Sequence, residues 1–222
     1  MHRCETIIHS YTIAGTLTVA SVTSFVAFLG SCLRRGGSSG DSPSTIDIKC
    51  TDASLDGFVI ADGEVHASRN DISALRLGDN GDNQQIGFII SCDVGSLSGT
   101  VTAATVKVKY GRKFNANPIN SWGSAVVVDV SHAFSGDPEL QASDLSVAVP
   151  ASDTDVGQNV AFKGGFLTAE LASSALSSVS GRVQLRFRMA TPSNNNGRPD
   201  SAAFFSGASP GTAPVLTVEV AA

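Results

Sequence analysis

The stretch RVQLRFRM, residues 182–189, alternates apolar and polar side chains at every position. Successive side chains of a β-strand point to opposite faces of its sheet, so this period of two is typical of a strand with one buried face. The apolar positions are Val183, Leu185, Phe187 and Met189. The polar positions are Arg182, Gln184, Arg186 and Arg188. We expect the first set to lie in the core and the second to lie in solvent.

The same alternation recurs along the chain between turn residues. It is clear over 104–110, where valines alternate with lysines, and over 215–220 near the C-terminal end. Shorter strands are predicted over 45–50, 57–61, 74–78, 84–92, 125–130, 145–149, 165–168 and 202–206. This many short strands predicts an all-β fold, a two-sheet antiparallel β-sandwich or jelly roll. One segment, 169–179, has a helical stripe of apolar residues and predicts a single short helix that crosses one end of the sandwich.

The N-terminal segment has the features of an export signal. His2 and Arg3 precede an apolar run over 13–29 that ends in small residues. The run is short for a membrane span and is diluted by Thr and Ser. Its end, LGSC at 29–32, looks like the bacterial lipobox, in which the cysteine is diacylated and becomes the new first residue after cleavage. Cys32 is therefore predicted to be a lipid anchor.

The sequence thus divides into three parts. They are a lipoprotein-type signal peptide over 1–31, a Gly/Ser-rich flexible tether over 32–44 and a β-sandwich domain over 45–222. Ordinary secretion and a retained N-terminal anchor are the alternatives. We expect a lipoprotein of the bacterial cell envelope or surface, in contact with the membrane through its lipid anchor alone.

Composition agrees with an extracellular β-rich protein. Hydrophobic residues make up 42% of the chain and charged residues only 16%. The formal net charge is −5, and the sequence contains no Lys/Arg-rich block. A nucleic-acid partner is therefore not expected, because such a partner requires a basic face that neutralises phosphates.

Seven short motifs follow one another between residues 50 and 220. They are DGFV at 56–59, LRLG at 75–78, IISCDVGSL at 89–97, VTAATVKV at 101–108, GRVQLRF at 181–187, FSG at 205–207 and PVLTV at 214–218. In this order and spacing they resemble the bacterial and archaeal extracellular β-sandwich domains called DNRLRE domains, which are close to jelly-roll carbohydrate-binding modules. The chain departs from that pattern at Cys92, where relatives usually carry Phe, and at Asn194, Asn195 and Asn196, where they often carry aspartates.

The resemblance implies an exported, non-catalytic surface module. Such domains are generally attached to secreted enzymes or surface proteins, and some related modules bind acidic polysaccharides such as alginate. Binding of a polysaccharide is therefore an expectation for this chain.

An acidic, amide-rich loop precedes the strand predicted over 84–92. Its oxygen-bearing side chains are Asp79, Asn80, Asp82 and Asn83. Ca²⁺ prefers six to eight oxygen ligands, so the loop is a candidate calcium site, although it lacks the EF-hand spacing. The alternative is a tight hairpin turn, because Asn and Gly tolerate positive φ. The turn is the preferred interpretation, and no cofactor is required.

Two cysteines of the predicted domain are candidates for a disulfide. Cys92 continues the apolar side of its strand and should face the core. With the signal removed and Cys32 lipidated, Cys50 and Cys92 are left as a natural pair in an oxidising compartment. The alternative is two buried, unpaired thiols, since Cys is readily accepted as a small core residue. A nucleophilic role needs a base and solvent access, which an apolar face denies.

The sequence contains no recognisable catalytic motif. His66 and His132 are the only histidines beyond the leader, and no nucleophile, metal-ligand or nucleotide motif accompanies them. We therefore predict a protein that is not an enzyme. A jelly-roll lyase or hydrolase is the alternative, because carboxylate pairs are positioned by the fold and not by sequence spacing.

Candidate sugar-binding residues are basic or aromatic. They are Lys107, Lys109, Arg186, Arg188 and the sole tryptophan, Trp122. If their strands are neighbours, the four cations form a strip suited to acidic glycans, together with Arg182 and with Arg112 and Lys113 just beyond a strand end. An indole ring suits stacking on a sugar. The alternatives are solvated charges that discourage strand aggregation and a tryptophan folded over the end of the core. The predicted function is polysaccharide binding, and a structural or adhesive envelope protein without sugar affinity is the second hypothesis.

Overall fold

The computed structural model describes residues 42–68, 75–95, 97–149, 157–177, 181–208 and 211–221, without the side chains of 157–160. The predicted signal peptide, Cys32 and all of the tether before residue 42 lie outside these ranges. Among the described residues, no helix has both the length and the apolar character needed to span a membrane.

The described residues form twelve strands and three short helical segments. The strands are β1 Ser44–Lys49, β2 Gly57–Ile60, β3 Val65–Ala67, β4 Leu75–Asp79, β5 Gln85–Gly95, β6 Thr100–Phe114, β7 Val126–Ser131, β8 Gly157–Lys163, β9 Phe166–Leu171, β10 Gly181–Met189, β11 Ser201–Phe204 and β12 Val215–Ala221. The helical segments are α1 Pro118–Ser121, α2 Ser173–Leu176 and a 3₁₀ turn at Ala142–Leu145. The all-β prediction is confirmed.

Every strand pairing is antiparallel, and all strands belong to one hydrogen-bonded network. The order along its main path is β1-β12-β6-β11-β4-β5-β10-β7, while β9 joins β6, β8 joins β9, β2 joins β5 and β3 joins β2. Strand β6 is long enough to pair with β12 and β9 over its first part and with β11 over its last. The described strands therefore form a single connected sheet, and the two-sheet sandwich stays a prediction.

The core is built on the apolar face of β10, as the alternation predicts. Val183, Leu185, Phe187 and Met189 have no exposed surface. The Phe187 ring stacks on Phe88 of β5 with ring centroids 4.4 Å apart. The centroid of the Phe204 ring, in β11, lies 5.3 Å from that of Phe88. Aromatic rings at these separations add specific packing energy to their large buried area.

Part of the second face of β10 is covered, so the prediction of a solvent face is wrong for Gln184 and Arg186, whereas Arg182 and Arg188 are partly exposed. Gln184 is fully buried and Arg186 is 3% exposed. Phe134 packs against the Arg186 guanidinium, and the carbonyl oxygens of Asp144 and Val147 accept hydrogen bonds from it. Residues 134–149, which follow β7, therefore cover this part of the face, and residues 145–149, predicted as a strand, contribute to the covering segment instead.

The helix predicted over 169–179 is also corrected. Residues 166–171 form β9, because Ala169 and Leu171 pair with β6 and are buried in the core. Of the described part of this segment, 169–177, only the four residues of α2 are helical, and residues 178–179 lie outside the described ranges. The short helix α1 was not predicted. The short strands β3 and β8 were likewise missed.

A disulfide joins Cys50 and Cys92, which confirms their predicted pairing. The two sulfur atoms are 2.02 Å apart, the Cα atoms are 4.3 Å apart, and both residues are fully buried. The bond links the end of β1 to β5 across 42 residues of sequence. A loop of this length makes the cross-link worth about 4 kcal/mol in the chain-entropy treatment.

Candidate cation-binding and anion-binding residues

The solvent face of β6 carries two lysines, each held over a phenylalanine ring. Lys107 and Lys109 alternate with Val106 and Val108, which are fully buried. The Lys107 ammonium lies 4.2 Å from the Phe166 centroid. The Lys109 ammonium lies 5.5 Å from the centroid of Phe205, which follows β11. Cation–π contacts of this kind restrict where the two charges can move.

Further along β6, two arginines share one ring. The guanidinium carbon of Arg112 lies 4.7 Å from the Phe114 centroid, and that of Arg76, in β4, lies 4.3 Å from the same centroid. Arg112 and Arg76 both pair in register with Ala203 of β11. Residues opposite one another on neighbouring strands share a face of the sheet, so the arginines lie side by side.

A bulge at Gly111 brings the lysines and the arginines onto one face. In the pairing of β6 with β11, Phe204 lies opposite Tyr110 while Ala203 lies opposite Arg112, so Gly111 is an extra residue. An extra residue shifts the alternation by one position. The odd-numbered Lys109 and the even-numbered Arg112 therefore point the same way. We call this surface the cationic strip and define it by Arg76, Lys107, Lys109, Arg112, Phe114, Phe166 and Phe205.

The charges of the cationic strip have no acidic partner within the described residues. The salt-bridge contacts among the described residues lie outside the strip. They join His66 to Glu64, Arg182 to Asp52, and Arg186 and Arg188 to Asp129. Burial and the charge of Arg112 lower the pKa of Arg76. Its Nη2 donates to the Ser201 hydroxyl at 2.9 Å, whereas its Nε is buried without a hydrogen-bond partner among the described residues. Two like charges are thus held together without a counter-charge, which favours a bound anion.

Arg186 and Arg188 do not belong to the cationic strip. The prediction of one strip required β6 and β10 to be neighbours, but β11, β4 and β5 lie between them. Lys107 and Lys109 are therefore brought together with Arg112, which the prediction placed just beyond the end of their strand, and with Arg76, which it did not include as a binding residue. The cations and aromatic residues that follow one another from Lys109 to Phe114 could have indicated this binding surface. The bulge that places Lys109 and Arg112 on one face has no recognisable pattern in the sequence.

Two of the three arginines of β10, Arg186 and Arg188, instead bind one buried carboxylate. Asp129, on β7, accepts from Arg186 Nη2 at 2.7 Å and from Arg188 Nε at 3.0 Å. Burial opposes the ionisation of Asp129, but the hydrogen bonds from Arg188 and the charge of Arg186 outweigh it and lower the pKa of this carboxyl. Arg186 also donates to two backbone carbonyls, so its hydrogen bonds lie within the protein. A cleft of about 350 Å³ borders these residues and segment 145–149.

Trp122 lies at the C-terminal end of α1. Its backbone N–H donates to Pro118 at 3.1 Å, and its ring is half-buried against the core. The indole Nε1 is buried without a hydrogen-bond partner among the described residues. This is the placement expected of a ring folded over the end of the core, and it puts Trp122 outside the cationic strip.

The acidic loop forms the turn between β4 and β5. Asn80 Oδ1 accepts from the backbone N–H groups of Asp82 and Gln84, and Asn83 has a φ of 60°. The fully buried Asp79 accepts from the Ser193 hydroxyl at 2.7 Å and from the Asp200 N–H at 3.1 Å. Across the described ranges, no three His, Cys, Asp or Glu side chains converge as metal ligands would. These contacts are those of a hydrogen-bonded hairpin turn.

Comparison with protein-family models and with curated proteins gives no match to this chain.

Proposed function

We propose that this protein is an exported, lipid-anchored and non-catalytic surface module that binds an acidic polysaccharide along the cationic strip. The observation that carries the proposal is the geometry of Arg76, Lys107, Lys109 and Arg112. They share one face of the sheet, lie against phenylalanine rings and have no ion-pair partner among the described residues. In a chain of net charge −5, this is a local concentration of positive charge.

An acidic polysaccharide matches this surface in both charge and shape. Its carboxylates are spaced along an extended chain, as the cations are along β6, where alternate residues are about 7 Å apart. Lysine and arginine form charge-assisted hydrogen bonds with carboxylates, and the apolar faces of sugar rings pack against aromatic edges. Because the phenylalanine rings restrain the cations before binding, less conformational entropy is lost on association.

Export and anchoring rest on the sequence. The apolar run over 13–29 and the LGSC at 29–32 support a lipoprotein signal, and the likeness to DNRLRE domains supports a surface location. Mass spectrometry of the exported protein tests this part of the proposal. A diacylated N-terminal Cys32 supports it, and an unmodified Cys32 contradicts the anchor without affecting the binding proposal.

Affinity electrophoresis through gels that contain alginate tests the binding. We expect retardation of the full chain, a loss of retardation as salt is raised, and weaker retardation for Lys107→Gln and Lys109→Gln. Arg198→Gln is the matched control, because Arg198 is an exposed arginine of the loop before β11 and is not one of the residues of the strip. No retardation of the wild type by alginate, polygalacturonate or hyaluronate would contradict the proposal. Release of unsaturated sugars from any of them would contradict the non-catalytic part.

The edge strand β1 favours a second function, an assembly unit of the cell envelope. Five of its six residues are exposed, and Ile46 is one of two large hydrophobic residues with more than a third of their surface in solvent among the described residues. Exposed edge strands pair readily with other chains. Self-association of the wild type that Ile46→Lys abolishes, together with no affinity for acidic polysaccharides, would support this function over glycan binding.

A further inference from the structure

A second candidate site lies at the end of β6, beside the core. It is a cleft of about 400 Å³, within the size range of small-molecule sites. Its lining residues are Tyr110, Lys113, Asn115, Ala116, Asn117, Asn120, Ser121 and Phe162. The wall thus combines two aromatic rings, one lysine and a run of carboxamide and hydroxyl groups, which is the chemistry that sugars require.

The aromatic wall is fixed in position by the core. The Tyr110 and Phe162 rings meet edge to face with centroids 5.0 Å apart. Tyr110 also lies 5.9 Å from the fully buried Phe204 ring, again edge to face. Both Tyr110 and Phe162 are half-buried, so each ring has part of its surface anchored and part facing the cleft. Such rings bury the apolar face of a pyranose at little entropic cost.

The polar wall is also held in place before any ligand binds. Asn115 donates its amide to Asp200, and Asn117 caps α1 by accepting the Ile119 N–H at 3.1 Å. The Ser121 hydroxyl donates to the Asn117 carbonyl at 2.8 Å. These bonds leave the Asn115 carbonyl oxygen, the Asn117 amide nitrogen and the side chain of Asn120 without a protein partner among the described residues. They are donors and acceptors available for sugar hydroxyls.

Lys113 supplies the charge. It is exposed and forms no ion pair with a described carboxylate. In register it lies opposite Ala202, which belongs to the core, whereas its neighbours Arg112 and Phe114 lie opposite Ala203 and Ser201. Lys113 therefore points to the other side of the sheet from the cationic strip. Asp200, which accepts from Asn115 of the polar wall, also accepts from Ala116, Asn194 and Asn196.

We propose that this cleft binds a single acidic pyranose, with the sugar ring against Tyr110 and Phe162, its hydroxyls on the asparagine carboxamides and its carboxylate on Lys113. The inference rests on the proposed function and deepens it. The strip accounts for contact with many residues of a polymer, while the cleft is sized for one sugar unit and selects it by ring and charge together.

The sole tryptophan gives a direct readout of the cleft. Trp122 follows Ser121, a lining residue, so a bound sugar is expected to change the indole emission. We titrate the full chain with D-glucuronate and, separately, with D-glucose, and follow the Trp122 emission. We expect a saturable response to glucuronate and a response to glucose that requires concentrations about tenfold higher, since glucose offers no carboxylate to Lys113.

Variants separate the cleft from the strip. Lys113→Gln is expected to raise the glucuronate dissociation constant about tenfold and to leave that of glucose unchanged, which a merely structural role would not do. Asn120→Ala, also at an exposed position, is expected to weaken both sugars. Lys107→Gln reports any contribution of the strip, and Arg198→Gln, at an exposed arginine that lines neither the cleft nor the strip, is the control that leaves both dissociation constants unchanged.

Failure of this inference is distinguishable from failure of the proposed function. If alginate retards the wild type but glucuronate gives no saturable response in either emission or NMR chemical shifts, the cleft assignment is wrong and the strip stands. The cleft assignment is also wrong if Lys113→Gln and Lys107→Gln weaken glucuronate equally. If glucuronate saturates the cleft while no acidic polymer is retained, the inference stands and the strip proposal fails.

Discussion

Arg186 and Asp129 lie opposite each other on β10 and β7, and their side chains form an ion pair of 2.7 Å that is almost wholly removed from solvent. The pair is completed by two backbone carbonyls that accept from Arg186 and by Arg188 on the same carboxylate. A buried arginine is tolerated only when its charge and its donors are matched in this way. The contact fixes residues 144–147, which follow β7, over the second face of the sheet.

Removing the carboxylate should therefore destabilise the fold. Asp129→Asn leaves the Arg186 charge buried without its counter-charge, and we expect a loss of about 3–5 kcal/mol in the free energy of unfolding. Urea unfolding measures it. Arg182→Gln is the control, because its pair with Asp52 is partly exposed and should be worth less than about 1 kcal/mol. Equal losses in the two variants would contradict the structural role of the buried pair.

The disulfide should contribute to stability through the unfolded chain. Replacing both Cys50 and Cys92 by Ala is expected to lower the free energy of unfolding by about 4 kcal/mol. The wild type should lose a comparable amount when a reductant is added to the unfolding experiment, whereas the double variant should not respond. A wild type whose midpoint is the same with and without reductant would contradict the contribution.

Stability should also depend on the protonation of Asp56. This carboxyl is fully buried and accepts from the N–H groups of Ser91 and Gly207. Burial raises the pKa of Asp56 from its ordinary 3.8 to about 7. Between these values the folded chain binds more protons than the unfolded chain. The stabilisation is thus fully present below pH 3.8 and is lost as pH rises through 7, by at most about 1.4 kcal/mol per pH unit.

Asp56→Asn isolates that dependence. The variant removes the titrating group, so the difference in unfolding free energy between wild type and variant should shrink steadily from pH 4.5 to pH 7. Asp129 and Asp200, whose pKa values are lowered in the folded chain, contribute slopes of the opposite sign that are common to both proteins. Parallel pH profiles for wild type and variant would rule out a raised pKa at Asp56.

The cationic strip predicts that polysaccharide binding can be weakened without loss of protein stability. Arg112 is exposed and adds like charge beside Arg76, so Arg112→Gln should leave the melting temperature unchanged or slightly raised. The same change should weaken retention on alginate about tenfold at low salt, because one charge-assisted contact is lost. A fall in melting temperature that accounts for the weaker retention would contradict a direct role for Arg112.

The turn at 79–83 predicts independence from calcium. Its oxygens accept hydrogen bonds from the chain, and Asp79 is committed to Ser193 and Asp200. Millimolar Ca²⁺ or a chelator should leave the melting temperature unchanged. A rise of several degrees with Ca²⁺ that Asp82→Asn removes would restore the calcium interpretation.

The alternation of apolar and polar residues predicted much of the fold, but it did not predict that part of the second face of β10 is covered. The alternation of Val183, Leu185 and Phe187 was sufficient to place β10 in the core, because it reports which residues share a side. It carries no information on whether a distant loop covers the other side, so Arg186 was assigned to solvent. The disulfide could be predicted since few cysteines remained and Cys92 lay on an apolar face.

The candidate site was harder to predict because it depends on strand order and register. Lys107 and Lys109 were recognisable as exposed charges on one strand. Their association with Arg76 requires that β11 lie between β6 and β4, which no local pattern specifies.

The bulge at Gly111 decides which side chains of β6 share a face. Before Gly111, odd-numbered side chains such as Lys109 lie on the face of the cationic strip. After Gly111, even-numbered side chains such as Arg112 lie on that face. Pairing Gly111 regularly, without the bulge, would exchange Arg112 and Lys113, turning a guanidinium toward the core and leaving the cleft without its ammonium. A slip of one residue in strand pairing, with no change in the sequence, would thus exchange the charges that the two sides of this strand present to their surroundings.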